Sequence, residues 1–204
     1  MISFSNLGYY LLYWIIFGII HTLLASNTLK SKIPMNVKNY RILYNILVTA
    51  NLLVVLLFVP SITTIILKFY TLAILPKIGF LLLSATGGLI SLWGLTDWNI
   101  PGFLGIEHDN NQLKTTNSFA FARHPVYTGI IITLISVLII EVSAASLSWL
   151  IGVAGYFILG SYSEENKLAN HYGEEYIVYR NKVGRFFPLT ETNWRYLKSN
   201  FIQH

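Results

Sequence analysis

Cysteine is absent from the 204 residues. That excludes disulfides, thiolate metal sites, iron–sulfur clusters and a nucleophilic thiol of the protein's own. Charge is scarce as well. Asp, Glu, Lys and Arg make up 11% of the chain, against about 25% in an ordinary soluble domain. Hydrophobic residues account for 54%, and the mean hydropathy is +0.56. So little polar surface cannot coat a water-soluble globule, so lipid must be the solvent for much of the chain. The formal net charge of +5 is modest, and its basic residues lie between apolar runs instead of forming a stripe, so nucleic acid is not an expected partner. Internal repeats and low-complexity segments are also missing.

What is there is a series of apolar runs, and a helix needs roughly 20 such residues to cross the hydrocarbon core. The first runs from Leu7 to Ala25, with Asn6 as N-cap and Ser26 and Asn27 at its end. It lacks the basic start and small-residue cleavage site of a signal peptide, and reads as a retained span. A basic loop with Lys30, Lys32, Lys38 and Arg41 precedes a second run, Ile42 to Val59, which Pro60 closes. Lys68 and Lys77 bracket an interfacial piece, Phe69 to Leu75. The third run, Ile78 to Leu95, carries Gly79, Gly87 and Gly88, which suit close helix packing. Asp97 to Ala122 is a long polar interruption of the kind that tends to be functional. Two shorter runs, Val126 to Ile140 and Ala144 to Tyr162, read as a tight helical hairpin with Glu141 and Ser143 at its turn. A charged, aromatic tail begins at Ser163.

The expected fold is therefore all-α: a polytopic membrane bundle of about five spans in one integral domain. Residues 1–96 hold three spans, and 97–204 hold the polar loop, the hairpin and a tail helix. Five spans put Lys30, Lys32, Lys38, Arg41, Lys114, Arg123, Lys167, Arg180, Lys182, Arg185, Arg195 and Lys198 on one side, and only Lys68 and Lys77 on the other. By the positive-inside rule the N-terminus is outside and the tail cytoplasmic, as in a bacterial inner membrane. The polar loop and the tail then share one face.

Two constellations can carry chemistry. In Arg123-His124-Pro125-Val126-Tyr127 the proline suits the first position of a helix. An arginine and a histidine then stand beside a helix N-terminus, which attracts anions. The bland alternative is a topology anchor and a cap. In the tail, Glu165, Leu168, Tyr172, Tyr176, Tyr179 and Val183 follow helical steps of three and four, with a possible break at Gly173. Glu165 would then share an apolar, aromatic face and need a partner: Arg185, Arg123 or a ligand. The alternative is an amphipathic surface helix with a solvated acidic start. His21 is an ionisable residue near the inner end of a span, either functional or a satisfied packing residue. Glu141 is expected to face solvent in the outer turn. His108 and His171 lack metal-ligand spacing, and no metal is assigned.

Together these blocks resemble the isoprenylcysteine carboxyl methyltransferase-like integral membrane methyltransferases. Phe119-Ala-Phe-Ala-Arg-His-Pro-Val-Tyr-Thr-Gly129 is similar to their Arg-His-Pro-x-Tyr signature. The segment Glu164 to Pro188 is similar to the second signature: paired glutamates, a Tyr-Gly, two tyrosines three apart and a closing Arg-Phe-x-Pro. The resemblance covers about Leu113 to Pro188 and is specific because two separated blocks match in order. The N-terminal third, with His21-Thr-Leu-Leu-Ala-Ser26 and Tyr40-Arg-Ile-Leu-Tyr-Asn45, looks more like the bacterial NnrU and methanethiol S-methyltransferase branch.

The resemblance implies an S-adenosylmethionine-dependent methyltransferase. Its cofactor pocket would lie between the 97–122 loop, the start of the fourth span and the tail. Arg123, His124 and the helix start at Pro125 would hold the methionine carboxylate, and Tyr127 would line the pocket. Glu164 or Glu165 would engage the ribose hydroxyls or the amino group. Tyr176 and Tyr179 would shape the wall, and Arg185 would pair with an anionic substrate head or a glutamate. His124, Glu165 and Arg185 are the implied catalytic set. The acceptor would be lipophilic or small and membrane-permeant: an isoprenylcysteine-type carboxylate, a thiol or a phospholipid amine. Two other readings compete: an NADPH-dependent membrane reductase of the sterol-reductase type, and a non-catalytic membrane scaffold.

Overall fold

The structure, a computed structural model, describes residues 5–56, 62–98 and 112–202. Among these, ten helices and no strand are found. In chain order they are α1 (Ser5–Ala25), α2 (Asn27–Lys32), α3 (Val37–Leu56), α4 (Ile62–Thr71) and α5 (Ile74–Asp97), then α6 (Ser118–Phe121), α7 (Pro125–Ile140), α8 (Ala144–Tyr172), α9 (Glu174–Lys182) and α10 (Glu191–Ile202). The described residues are all-helical, as expected. Among the described residues, three helices are long and apolar enough to cross a membrane: Leu7–Ala25, Ile74–Asp97 and Ala144–Tyr172. The apolar α7 is shorter, 16 residues, or about 24 Å at 1.5 Å per residue.

Several helix ends differ from the sequence reading, each for a local reason. Helix α1 starts at Ser5, so Asn6 lies inside it. Helix α3 starts at Val37, before the expected Ile42, because the Asn36 side chain accepts the Asn39 N–H at 2.8 Å and caps it. Helix α5 starts at Ile74, so Ile74 and Leu75 belong to it and not to the interfacial piece. Helix α8 does not stop at Tyr162. It continues for 29 residues, about 43 Å, well beyond a hydrocarbon core of about 30 Å. Its last turns therefore belong to the polar tail. It ends at Gly173, whose N–H donates to the Ala169 carbonyl at 2.9 Å and whose φ of 57° suits a residue without Cβ.

The described residues divide into two compact units. The first comprises 5–56, 62–77 and 137–153. Here α1 packs on α3, and the Trp14 ring lies against Gly152, where no Cβ would fit. Tyr44 hydroxyl meets His21 Nε2, and Phe17 stacks on the His21 ring. His21 is thus a partnered packing residue. Glu141 is not solvated as expected. Its carboxylate meets Lys68 Nζ at 3.0 Å with only 11% of the side chain exposed, since burying a charge requires a partner.

The second unit comprises 78–98, 112–136 and 154–202. Its α5 and α7 segments meet through small residues. A Cβ on Gly87 would meet Thr133 Oγ1 at 2.5 Å and the Gly129 carbonyl at 2.6 Å, and a Cβ on Gly129 would collide with Gly87 and Ser91. Ser84 and Ser136 hydroxyls bond at 2.7 Å across the same contact. Gly88, expected to take part, faces open space. Leu81, Leu82, Leu89 and Leu92 of α5 are exposed, as on a lipid-facing surface. The tail packs its own core: Tyr176, Tyr179 and Val183, flanked by Leu113, Phe119, Leu168, Tyr172 and Tyr196. This is the face read from the helical spacing.

Candidate functional site

The site is built in the second unit, at the start of α7. Pro125 is the first residue of α7, where its missing N–H costs nothing. The two residues before it lie alongside the tail. Arg123 N–H donates to the Gly184 carbonyl and His124 N–H to the Arg185 carbonyl, each at 3.0 Å. The Thr128 hydroxyl, fully buried, lies 2.6 Å from the Phe186 carbonyl and 3.0 Å from that of His124. Residues 184–186 of the tail are thereby fixed against the helix start.

Glu165, 2% exposed, is the hub. Its Oε1 accepts from Arg123 Nε at 3.0 Å, from His124 Nε2 at 3.2 Å and from Arg185 Nε at 3.0 Å, and pairs with Arg123 Nη2 at 2.9 Å. Its Oε2 accepts from Arg185 Nη2 at 2.9 Å. Of the partners open in the sequence, both arginines serve. Arg123 also donates through Nη1 to the Arg180 carbonyl at 2.9 Å and to the Val183 carbonyl, the last turn of α9 and its cap. Such a cation satisfies orphan carbonyls at a helix C-terminus. Arg185 lies 3.6 Å over the Tyr162 ring, and its hydrogen bond to Glu165 raises its pKa further.

The neighbouring Glu164 is in a different environment. Adjacent helical residues point about 100° apart, so its side chain is half exposed while that of Glu165 is buried. Glu164 Oε2 is 3.6 Å from His124 Nδ1, too long for a hydrogen bond. The bond from His124 Nε2 to Glu165 requires the proton on Nε2. Nδ1 then faces the exposed carboxylate.

Aromatic rings complete the surroundings. His124 stacks on Tyr127 (5.3 Å, 5°), and Tyr127 on Phe157 (4.1 Å, 7°). Tyr176 and Tyr179 are both buried. Tyr179 hydroxyl donates to the Phe119 carbonyl at 2.8 Å, and burial pushes its pKa up. Tyr176 hydroxyl has no partner. Burial, with the Glu165 charge, pushes its pKa up to about 12.

All the residues singled out in the two sequence blocks thus lie in one unit, and Arg123, His124, Glu164, Glu165 and Arg185 form one connected cluster. The 97–122 stretch is described only at its ends, because 99–111, including His108, lie outside the described residues. What is described is tied down: Asp97 accepts from Ser118 N–H at 2.9 Å and Asn117 Nδ2 at 3.2 Å, bracing a positive φ of 56° at Asn117. Sequence reasoning missed Thr128, Phe157, Tyr162 and Asn193. Tyr162 had a signal, since it lies one turn before Glu165 and Glu165 faces inward. Asn193 had none. It is fully buried, accepts from Gly184 N–H at 2.5 Å and lies near the Ala120 carbonyl at 3.5 Å. Among the described residues no group of three metal-ligating side chains occurs.

Compared with known proteins, residues 75–175 match the phospholipid methyltransferase family. The match includes Arg123, His124, Tyr127, Glu164 and Glu165 and stops short of Tyr176, Tyr179 and Arg185. No curated protein and no solved structure matches the chain.

Proposed function

We propose, from the premise that the chain belongs through residues 75–175 to the phospholipid methyltransferase family, within the isoprenylcysteine carboxyl methyltransferase-like superfamily of membrane methyltransferases, that it transfers a methyl group from S-adenosylmethionine to a lipophilic or small membrane-permeant acceptor. The observation that carries the reading is the convergence of Arg123, His124 and Arg185 on Glu165, beside the half-exposed Glu164.

The chemistry of this donor set fits the cofactor. S-adenosylmethionine supplies a methyl already activated on a sulfonium. Glu164, not held by an arginine, would attract the sulfonium or the amino group. Arg185, with 21% of its side chain exposed, would meet a carboxylate. Tyr127 and Phe157 would form an apolar wall that excludes water. Arg123 has its guanidinium engaged with Glu165 and α9, which makes it a positioning residue. Glu165 positions the three cationic or donor groups around it. Holding the acceptor in line with the methyl would supply roughly 7–11 kcal/mol of the barrier reduction. A carboxylate acceptor needs no base. For a thiol or an amine, His124 Nδ1 or Glu164 would take the proton. A phospholipid amine thus stands beside the carboxylate and the thiol as a candidate acceptor. A nicotinamide cofactor with a 2′-phosphate would need a clamp of several free cations, whereas Arg123 is engaged with Glu165 and α9 and leaves only the partly exposed Arg185.

The membrane orientation belongs to the same reading, with the N-terminus outside and the tail cytoplasmic. The basic-residue asymmetry supports it, and so does the Lys68–Glu141 pair, which joins α4 to the α7–α8 turn.

The test uses purified full-length protein in detergent or nanodiscs, with labelled S-adenosylmethionine and separate prenylcysteine, alkylthiol and phospholipid-amine acceptors. Cofactor binding with methylation of one panel is the expected result. Binding of NADPH instead of S-adenosylmethionine would overturn the proposal.

A further inference from the structure

Tyr176 and Tyr179 sit one turn apart in the same buried cluster, yet their hydroxyls differ. Tyr179 finds the Phe119 carbonyl. Tyr176 is 1% exposed and its hydroxyl has no partner. Buried polar groups are nearly always bonded, and an orphan calls for an explanation. Packing does not supply one, because the ring rests on Tyr179, Leu168 and Tyr172, contacts that a phenylalanine would make equally well.

Glu165 does not supply one either. Its charge acts on the Tyr176 phenol, but its two oxygens already receive five donor contacts from Arg123, His124 and Arg185. A carboxylate has about four lone-pair positions. The phenol stays protonated at neutral pH, so what it lacks is an acceptor. It lies where Glu165, Arg123, Arg180 and Glu164 all influence it, at the edge of the cluster described above.

We propose that the Tyr176 hydroxyl donates a hydrogen bond to an acceptor oxygen or nitrogen of the nucleoside cofactor, so that Tyr176 is satisfied only in the loaded protein. This rests on the methyltransferase reading. It makes Tyr176 a binding residue whose hydroxyl works against the empty protein and for the complex. Deleting the hydroxyl therefore has effects of opposite sign on the two states. Removing an unmade bond relieves the empty protein, and removing a made one weakens the complex.

The experiment compares wild type, Tyr176→Phe and Tyr179→Phe as full-length protein in detergent. It reads the melting temperature without ligand and the dissociation constants of S-adenosylmethionine and S-adenosylhomocysteine by calorimetry. Tyr176→Phe should melt at or above the wild-type temperature and bind both ligands about tenfold more weakly. Tyr179→Phe, which loses a bond present without ligand, should melt lower. Wild-type-like affinity in Tyr176→Phe would overturn the inference, as would a lowered melting temperature without ligand. In either case wild-type binding leaves the methyltransferase reading intact. If wild type binds neither ligand, both fall together.

Discussion

Arg185 grips Glu165 through two parallel bonds, Nε to Oε1 at 3.0 Å and Nη2 to Oε2 at 2.9 Å, while its guanidinium lies flat 3.6 Å over Tyr162. A planar fork makes this geometry and an ammonium cannot. Arg185→Lys should therefore behave as a disruptive change. It keeps the charge but loses the second bond and the stacking. The expected outcome is a protein that still assembles, melts lower and binds cofactor more weakly. Thermal unfolding and calorimetric binding on the same preparation check it. Wild-type-like affinity and melting would show that the fork is dispensable.

The two glutamates should separate cleanly. Glu165→Gln leaves Arg123 and Arg185 facing each other without a buried counter-charge, a loss of about 3–5 kcal/mol for a broken buried pair. Glu164→Gln alters a half-exposed side chain, and its effect on folding should stay within about 0.5 kcal/mol. If Glu164 attracts the cationic end of the cofactor, that variant should nonetheless lose affinity. Chemical unfolding and ligand titration of both variants give the pattern. Equal destabilisation by the two would contradict the division of roles.

The legible part of this fold was periodic. Steps of three and four from Glu165 to Val183 gave the buried face of the tail, and Pro125 gave the start of α7. Both are local signals that tertiary packing reinforces. The length of α8 was obscured because Ser163 to His171 is polar, and polarity resembles a loop. Nothing in those residues stops a helix before Gly173. The Lys68–Glu141 pair and the Asn193 bonds were unreadable, since each joins segments that no local pattern relates. Of the candidate site, the residue types and their proximity followed from the sequence blocks. Which glutamate would be buried followed too, because the steps through Leu168, Tyr176 and Tyr179 include Glu165 and not Glu164; that both arginines would hold it did not, because they come from segments that no local pattern relates.

The α5–α7 contact predicts a contrast between neighbouring glycines. Gly87→Val would drive a side chain into Thr133 and the Gly129 carbonyl, and backbone cannot yield as a flexible side chain can. Overpacking of this kind costs typically about 1–3 kcal/mol, more where backbone is struck. Gly88→Ala meets nothing within 4 Å and gains up to about 1 kcal/mol of helix preference. The first variant should express poorly or melt early, and the second should match or exceed wild type. Size-exclusion profiles and melting temperatures in detergent decide. A tolerated Gly87→Val would mean that α5 and α7 do not meet through these residues.

Alkaline titration probes the tail core. A phenol in the unfolded chain ionises near pH 10, whereas burial and the Glu165 charge raise Tyr176 to about 12 and burial raises Tyr179 as well. The native state therefore holds these protons more tightly than the unfolded state. Their contribution to stability is complete below pH 10 and declines as pH climbs from 10 through 12, because only the unfolded chain gains from losing protons there. Melting temperature should be insensitive to these tyrosines up to pH 10 and fall above it. Phenolate absorbance should show one fewer tyrosine that ionises only with unfolding in Tyr176→Phe than in wild type. If both phenols ionise near pH 10 in the folded protein, the cluster is open to water and the buried face of the tail is misassigned.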